Sequence, residues 1–154
     1  MPKTYEPIAT QNPSGAASVS FTSIPSTYTD LYIVFRGTTG GGNTKLEYNG
    51  DTGSNYSCTV LYGDGTSSAS ARYSFAWLYV IPDTTQIMFR VNIQNYSNTT
   101  TFKSSISRAD IASASSTTSA QLWRSTAAIN RVDLIASGAG TFTGTFTIYG
   151  IKAA

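Results

Sequence analysis

Two segments of this chain alternate apolar and polar side chains with a period of two, and this feature most constrains the fold. The apolar members are Ile87, Phe89, Val91 and Ile93 in the first segment, and Phe142, Phe146 and Ile148 in the second. Because successive side chains of a β-strand point to opposite faces of a sheet, the pattern predicts half-buried strands. A period of 3.6 is almost absent. Only residues 108–115 could hold a short helix, and their serines disfavour it.

Further strand-like runs follow one another at short intervals, separated by turn residues. Residues 31–35 are continuously apolar, which predicts a central strand covered on both sides. Asn49-Gly50 offers two residues that accept a positive φ and so predicts a tight hairpin. Another long run is expected to place five residues on one apolar face: Tyr73, Phe75, Trp77, Tyr79 and Ile81. The fold predicted is all-β, a jelly-roll-like β-sandwich of about eight to ten antiparallel strands.

Composition supports one folded β domain. Charged residues make up 12% of the chain, about half the usual quarter, whereas serine and threonine supply 44 of the 154 residues and aromatic residues 12%. Disordered chains are poor in aromatic residues, so this chain is expected to fold. No linker divides it. We therefore predict an extended N-terminal arm over residues 1–14, which contains three prolines, and a single β-sandwich domain over residues 15–154.

The sequence lacks the usual apparatus of an enzyme. It has no histidine, and its one cysteine, Cys58, is expected to be a small buried apolar group. No phosphate-binding glycine motif follows a strand. Most of the acidic residues lie beside turn glycines or at strand ends, where hydrogen bonding explains them. We therefore expect no enzymatic activity, no cofactor and no metal.

One loop, residues 49–55, is rich in oxygen-bearing side chains and resembles a calcium loop. An EF-hand would need a bidentate glutamate where Val60 stands. A turn built by glycine, asparagine and aspartate is therefore the preferred interpretation.

Charge and hydropathy weigh against two classes of partner. The ten basic residues are scattered, with a net charge of +2, so no stripe exists to neutralise phosphates and direct nucleic-acid binding is not expected. The N-terminal residues lack the apolar run of a signal peptide, and no segment approaches 18 apolar residues. We expect a protein made in the cytoplasm that does not cross a membrane.

Aromatic residues suggest where the chain could contact a partner. Tyrosines on predicted apolar faces are expected to pack within the domain, instead of forming a stacking platform for sugars or single-stranded nucleic acid: Tyr32, Tyr48, Tyr73 and Tyr79. Trp123 lies outside a clean alternation, so we place it at a contact surface. The candidate interface residues are Tyr5, Pro7 and Ile8 of the arm, together with Trp123.

Several segments taken together carry a resemblance that spans nearly the whole chain. They are residues 5–10, 21–31, 48–53 with 55–56, 95–97, 122–129 and 147–152. This ordered set resembles a group of small virion structural proteins of tailed bacteriophages. The resemblance implies a component of the phage particle, such as a capsid decoration (cement) protein with a jelly-roll fold. It offers no catalytic motif.

Three functions compete. The leading hypothesis is a capsid decoration protein that forms a homo-oligomer on the virion and binds the major capsid protein or other virion proteins. The alternative is a receptor- or glycan-binding module of a phage tail or fibre, and the third is a carbohydrate-active enzyme. A decoration protein should expose an apolar footprint and a terminal arm. A glycan binder should show exposed aromatic residues flanked by asparagine, aspartate or arginine, and the sequence shows no such loop cluster.

Overall fold

The computed structural model describes residues 4–78, 83–111 and 115–152 of the protein. Twelve β-strands and no helix occur within these residues. In chain order the strands are β1 (Tyr5–Gln11), β2 (Ser14–Ala16), β3 (Ser18–Phe21), β4 (Asp30–Thr39), β5 (Thr44–Tyr48), β6 (Tyr56–Gly63), β7 (Ser68–Tyr73), β8 (Asp83–Gln94), β9 (Lys103–Ile111), β10 (Ser116–Trp123), β11 (Val132–Ala136) and β12 (Phe142–Ile151).

The strands form two open sheets of unequal size. The large sheet has the order β1-β12-β4-β8-β9-β10-β6-β7, with β2 also paired to β12, and the small sheet has the order β3-β11-β5. Each adjacent pair is antiparallel, and the first strand lies beside the last. The predicted all-β sandwich is confirmed. Of these strands, β1 and the first residue of β2 lie within residues 1–14, the segment that was predicted to be an extended arm.

The core lies between the inner faces of the two sheets. Phe35 of β4 packs against Phe89 and Phe146 on the neighbouring strands, with ring centroids 5.0 and 4.2 Å apart. All three are fully buried, as are Val91 and Ile148. The alternation over β8 and β12 therefore predicted the correct inward face.

The central position of β4 is also correct, but it is not covered on both sides. Its odd-numbered residues from Leu31 to Phe35 are buried, whereas Tyr32 and Val34 are half-buried on the outer face. The small sheet lies against one face of the large sheet only, which explains the difference. The doubtful helix over residues 108–115 is a strand as far as Ile111, and residues 112–114 lie outside the described part of the chain.

The N-terminal segment is not a free arm. Strand β1 pairs with β12 at the edge of the large sheet, with Tyr5 opposite Ile151. Ile8 packs against the core, and Glu6 accepts a hydrogen bond from the Lys152 ammonium at 3.0 Å. The segment binds its own domain because Ile8 finds an apolar contact there and the backbone completes a sheet edge. Pro7 and the bulge after it suit an edge strand.

The Asn49-Gly50 turn shows the predicted backbone but not the predicted connection. Both residues have positive φ values, 53° and 71°. The flanking strands do not pair with each other, because β5 belongs to the small sheet and β6 to the large one. The turn therefore carries the chain from one layer of the sandwich to the other.

The single thiol is buried, as predicted. Cys58 on β6 is 1% exposed, and burial raises the pKa of its thiol to about 11. The residue fills space in the core. In the described residues, no helix has the length and apolar character to cross a membrane.

Candidate functional site

Trp123 does not lie at a contact surface, so that prediction is wrong. Its side chain is 3% exposed and packs beside Tyr48 and Tyr56, with centroids 5.5 and 6.3 Å away. The indole N–H donates a hydrogen bond to Asp51 Oδ2 at 2.7 Å. The alternation of β10 explains this position, since Gln121 and Trp123 both point inward.

Asp51 holds the loop over residues 49–55 in one conformation. Its Oδ1 accepts a hydrogen bond from the Gly53 amide and its Oδ2 another from Asn55 Nδ2, both at 2.9 Å. The Tyr56 hydroxyl donates to the Asp51 carbonyl at 3.0 Å. Hydrogen bonds from Trp123 and then Asn55 stabilise the carboxylate and lower the pKa of Asp51. These hydrogen bonds fix the conformation of the loop over residues 49–55.

A second set of hydrogen bonds joins this loop to the segment after β10. Asn49 Nδ2 donates to the Ala128 carbonyl at 2.9 Å, and Asn49 Oδ1 accepts from the Asn130 amide at 3.0 Å. Arg124 donates to the carbonyl oxygens of Ser54 and Tyr56. Residues 48–56 and 122–129, which carried much of the resemblance, therefore meet at one corner. The hydrogen bonds between the two segments give these residues a structural role.

The geometry of this loop favours the turn interpretation over a calcium site. Both oxygens of the Asp51 carboxylate already face N–H donors, which a cation cannot replace without breaking the loop. In the described ranges, no three acidic or cysteine side chains come close enough to hold a metal ion.

We expect that dialysis against a chelator leaves the melting temperature unchanged, because the loop is closed by its own donors. Differential scanning calorimetry before and after dialysis measures this, with Asp64→Ala in the exposed turn as a control variant. A fall of several degrees that calcium reverses, and that Asp51→Ala abolishes, contradicts the prediction.

Three aromatic residues cluster where the chain leaves β7. Phe75 contacts Trp77 edge-to-face at 5.1 Å, and Tyr73 lies 5.3 Å from Phe75 and 5.9 Å from Trp77. Phe75 is 42% exposed, whereas Ala76 and Leu78 are buried. The sequence predicted the opposite arrangement, in which the odd-numbered residues of this run form the apolar face. Tyr79 and Ile81, the other members of that predicted face, lie outside the described residues.

The reversal has a physical cause in the backbone. Strand β7 ends at Tyr73, and the chain then crosses to the small sheet, where the Leu78 amide donates to the Thr44 carbonyl at 2.8 Å. The Trp77 amide donates to Gln121 Oε1 at 3.1 Å. These contacts turn the even-numbered side chains inward and leave Phe75 at the surface.

A cleft of about 290 Å³ lies beside the aromatic cluster. One wall is β5 with Lys45 and Glu47, the second is the loop at Thr52 and Gly53, and the third is residues 75–77. Glu47 is only 7% exposed, and its burial raises the pKa of its carboxyl group. It is the one carboxylate among the described residues that line the cleft. Glycoside hydrolysis, by contrast, uses a pair of carboxylates on opposite sides of a cleft.

The outer face of the large sheet is a second candidate surface. It exposes Leu61, Met88 and Ile106 at 59%, 43% and 50%. Strand register also places four arginines on it: Arg36, Arg72, Arg90 and Arg108. Two of them lie near Asp110, at 3.0 Å from Arg108 and 3.8 Å from Arg90. No lysine lies on this face in the strands described.

The predicted interface residues of the N-terminal segment fall in two places. Tyr5 is 52% exposed and contacts Tyr32 edge-to-face at 5.9 Å, so it extends the outer face, as does the exposed Pro7. Ile8 is half-buried against the core. The structure thus separates Tyr5 and Pro7 from Ile8 and from Trp123.

Sequence reasoning missed the arginines of the outer face and the cleft at Glu47. The alternation of β8 and β9 could have revealed the arginines, since Arg90 and Arg108 occupy outward positions. Comparison with known proteins gives no match to a protein-family model and none to a curated protein. Function therefore has to be argued from these two surfaces.

Proposed function

We propose that this protein is a non-enzymatic structural component of a phage particle. In this proposal it is a capsid decoration protein that stabilises the shell by binding neighbouring capsid subunits. The observation that carries the proposal is the outer face of the large sheet, which spans eight paired strands and has no covering layer in the described residues. We infer that this face is the footprint on the shell.

The residue types of the outer face suit an interface. Protein–protein interfaces are enriched in tyrosine, methionine and arginine and depleted of lysine and glutamate. Here Met88, Ile106 and Leu61 supply exposed apolar area, and Tyr5 with Tyr32 adds aromatic area at the β1 edge. Burying these side chains against a partner would remove apolar surface from water and so favour association.

The charge of the outer face indicates the character of its partner. Four arginines share the face with Asp110, which offsets part of their charge. Unpaired guanidinium groups bind carboxylates well because their planar fork donates two parallel hydrogen bonds. A capsid surface that presents acidic side chains around an apolar centre would complement this face.

Self-association, the other part of the proposal, is supported by the far edge of the large sheet. The β1 edge contains Pro7 and a bulge, whereas β7 has neither a proline nor a bulge, and its first four residues are small, followed by Arg72 and Tyr73. A strand edge without a proline or a bulge can pair with another strand by backbone hydrogen bonds. We propose that a second copy of the protein pairs at β7.

The experiment compares phage particles that carry wild-type protein, no protein, or one of two single variants. Ile106→Glu puts a carboxylate in the footprint, and Thr66→Glu adds the same charge in the exposed turn after β6. We expect particles with Ile106→Glu to lose the protein and to release their DNA at a lower temperature, like particles without it. Particles with Thr66→Glu should behave as wild type.

Two results would overturn the proposal. In the first, particles without the protein hold their DNA under heat as well as wild type but no longer adsorb to cells, and the tail-adhesion alternative then takes its place. In the second, Ile106→Glu protein stays on the particle at full copy number, which excludes the outer face as the footprint.

A further inference from the structure

We propose that the cleft between β5, the loop over residues 49–55 and the aromatic cluster binds a neutral pyranose, such as the terminal sugar of a cell-surface glycan. This binding site goes beyond the proposed docking function and uses a different surface. Its lining combines an exposed aromatic ring with buried and half-buried polar side chains.

The aromatic side of the cleft offers a flat apolar surface. Phe75 is 42% exposed, and its ring is held by edge-to-face contact with Trp77 at 5.1 Å and by Tyr73 at 5.3 Å. A pyranose presents C–H groups on one face of its ring, and such a face packs on the π-surface of an aromatic side chain. The neighbouring rings orient Phe75, so little side-chain freedom is lost on binding.

The polar side of the cleft supplies hydrogen-bonding groups. Glu47 is 7% exposed, yet no donor in the described residues forms a hydrogen bond with its carboxylate. Lys45 lies two residues away on the same strand and lines the same cleft. A carboxylate accepts hydrogen bonds from adjacent hydroxyl groups, and an ammonium donates to the ring or hydroxyl oxygens. Glu47 lines the cleft and has no donor among the described protein residues, so its carboxylate can accept hydrogen bonds from a ligand rich in hydroxyl groups.

Charge around the cleft favours a neutral ligand over an anion. Asp133 lies opposite Glu47 in the strand register, and Asp51 anchors the adjoining wall. Burial is the main cause that raises the pKa of Glu47; Lys45 lowers this pKa, and both neighbouring carboxylates raise it further. A phosphate or carboxylate ligand would meet this negative potential, but a neutral sugar would not. The volume, about 290 Å³, lies just below the usual range of roughly 300–1,000 Å³ for ligand pockets and suits a single sugar ring.

The wall opposite the aromatic cluster is already formed in the free protein. Thr52 and Gly53 sit in the loop that Asp51 closes, and the Asp51 carboxylate is itself held by Trp123 at 2.7 Å. A preformed wall reduces the cost of ordering the site on binding. The loop positions Thr52 and Gly53 against a ligand.

The test uses the full chain and NMR titration with methyl glycosides of glucose, galactose, mannose and N-acetylglucosamine, followed by a glycan array. We expect at least one sugar to shift the resonances of residues 45–53 and 75–77. Phe75→Ala and Glu47→Gln should each weaken that binding at least tenfold. Phe102→Ala is the matched control, because Phe102 is a 54% exposed aromatic residue away from the cleft.

The absence of any shift at millimolar sugar, with no glycan bound on the array, would overturn the proposal. Equal binding by wild type and a folded Phe75→Ala protein would overturn it too. Its failure is distinguishable from failure of the docking proposal, since particles carrying Phe75→Ala should retain their DNA under heat as wild type does.

Discussion

Phe146→Ala is expected to lower the free energy of unfolding by about 3–5 kcal/mol, the range for removing a large aromatic ring from a packed core. Phe146 is fully buried and stacks on Phe35 at 4.2 Å. It also contacts Phe142 and Phe89 edge-to-face, at 5.2 and 5.9 Å. These neighbours belong to three strands that the backbone holds in register, so they cannot collapse into the cavity. Urea denaturation with a shared slope measures the loss.

Thr145→Ala is the control for this prediction. Thr145 is the preceding residue on the same strand, and its exposed hydroxyl donates to Asn12 on the outer face. Its removal should change stability by about 0.5 kcal/mol or less, as is usual at the surface. A loss below about 1 kcal/mol for Phe146→Ala would mean that the two residues have exchanged faces and that the register of β12 is shifted by one.

The strands with clear alternation were predictable from sequence because each face has a different environment. Apolar residues of β8 and β12 meet the small sheet, and the polar residues between them meet solvent. For residues 73–78 the same reasoning gave the wrong inward face. Their odd-numbered positions are all aromatic, but the strand ends at Tyr73, and hydrogen bonds to Thr44 and Gln121 decide which side faces inward. Those partners are distant in sequence.

The N-terminal segment shows the same limit. Its three prolines indicated an extended backbone, which is the conformation of β1, but not where that backbone would pair. Pairing with β12 depends on the other end of the chain, where Tyr28 packs over Gly150 so closely that a Cβ there would overlap its ring. The Tyr28 hydroxyl in turn donates to Glu6 of β1 at 3.2 Å. Residues 5–10, 21–31 and 147–152, which shared in the resemblance, are joined by these contacts.

The candidate site was the least predictable part, because three separate segments build it. Glu47 gives no signal in the sequence beyond being an acidic residue in a strand, and it becomes notable only when it is buried without a hydrogen-bond donor. Trp123 was assigned to a surface because it lies outside a clean alternation, and the sequence gives no sign that it bonds to Asp51, 72 residues earlier. What identifies its role is the hydrogen bond and not the residue type.

Trp123→Ala is the second change with a large expected effect, a loss of about 3–5 kcal/mol from the buried ring alone. Trp123→Phe separates the hydrogen bond from the packing. It keeps an aromatic ring beside Tyr48 and Tyr56 but removes the donor to Asp51. We expect a loss of about 1–2 kcal/mol at pH 7, toward the low end for a hydrogen bond to a full charge, because Asp51 is only half-buried.

The pH dependence of the Trp123→Phe loss distinguishes the hydrogen bond from a packing defect. In the folded protein the pKa of Asp51 is lowered from its ordinary 3.8, first by the bond from Trp123. A lowered folded pKa gives stability that is present above pH 3.8 and is lost as the pH falls through the folded value. The stability gap between wild type and Trp123→Phe should therefore be full at pH 7 and narrow below pH 4. Urea denaturation at pH 7 and pH 3 measures both gaps. A gap of the same size at both values would show that lost packing causes it, and the wall of the sugar cleft would then not depend on the bond between Trp123 and Asp51.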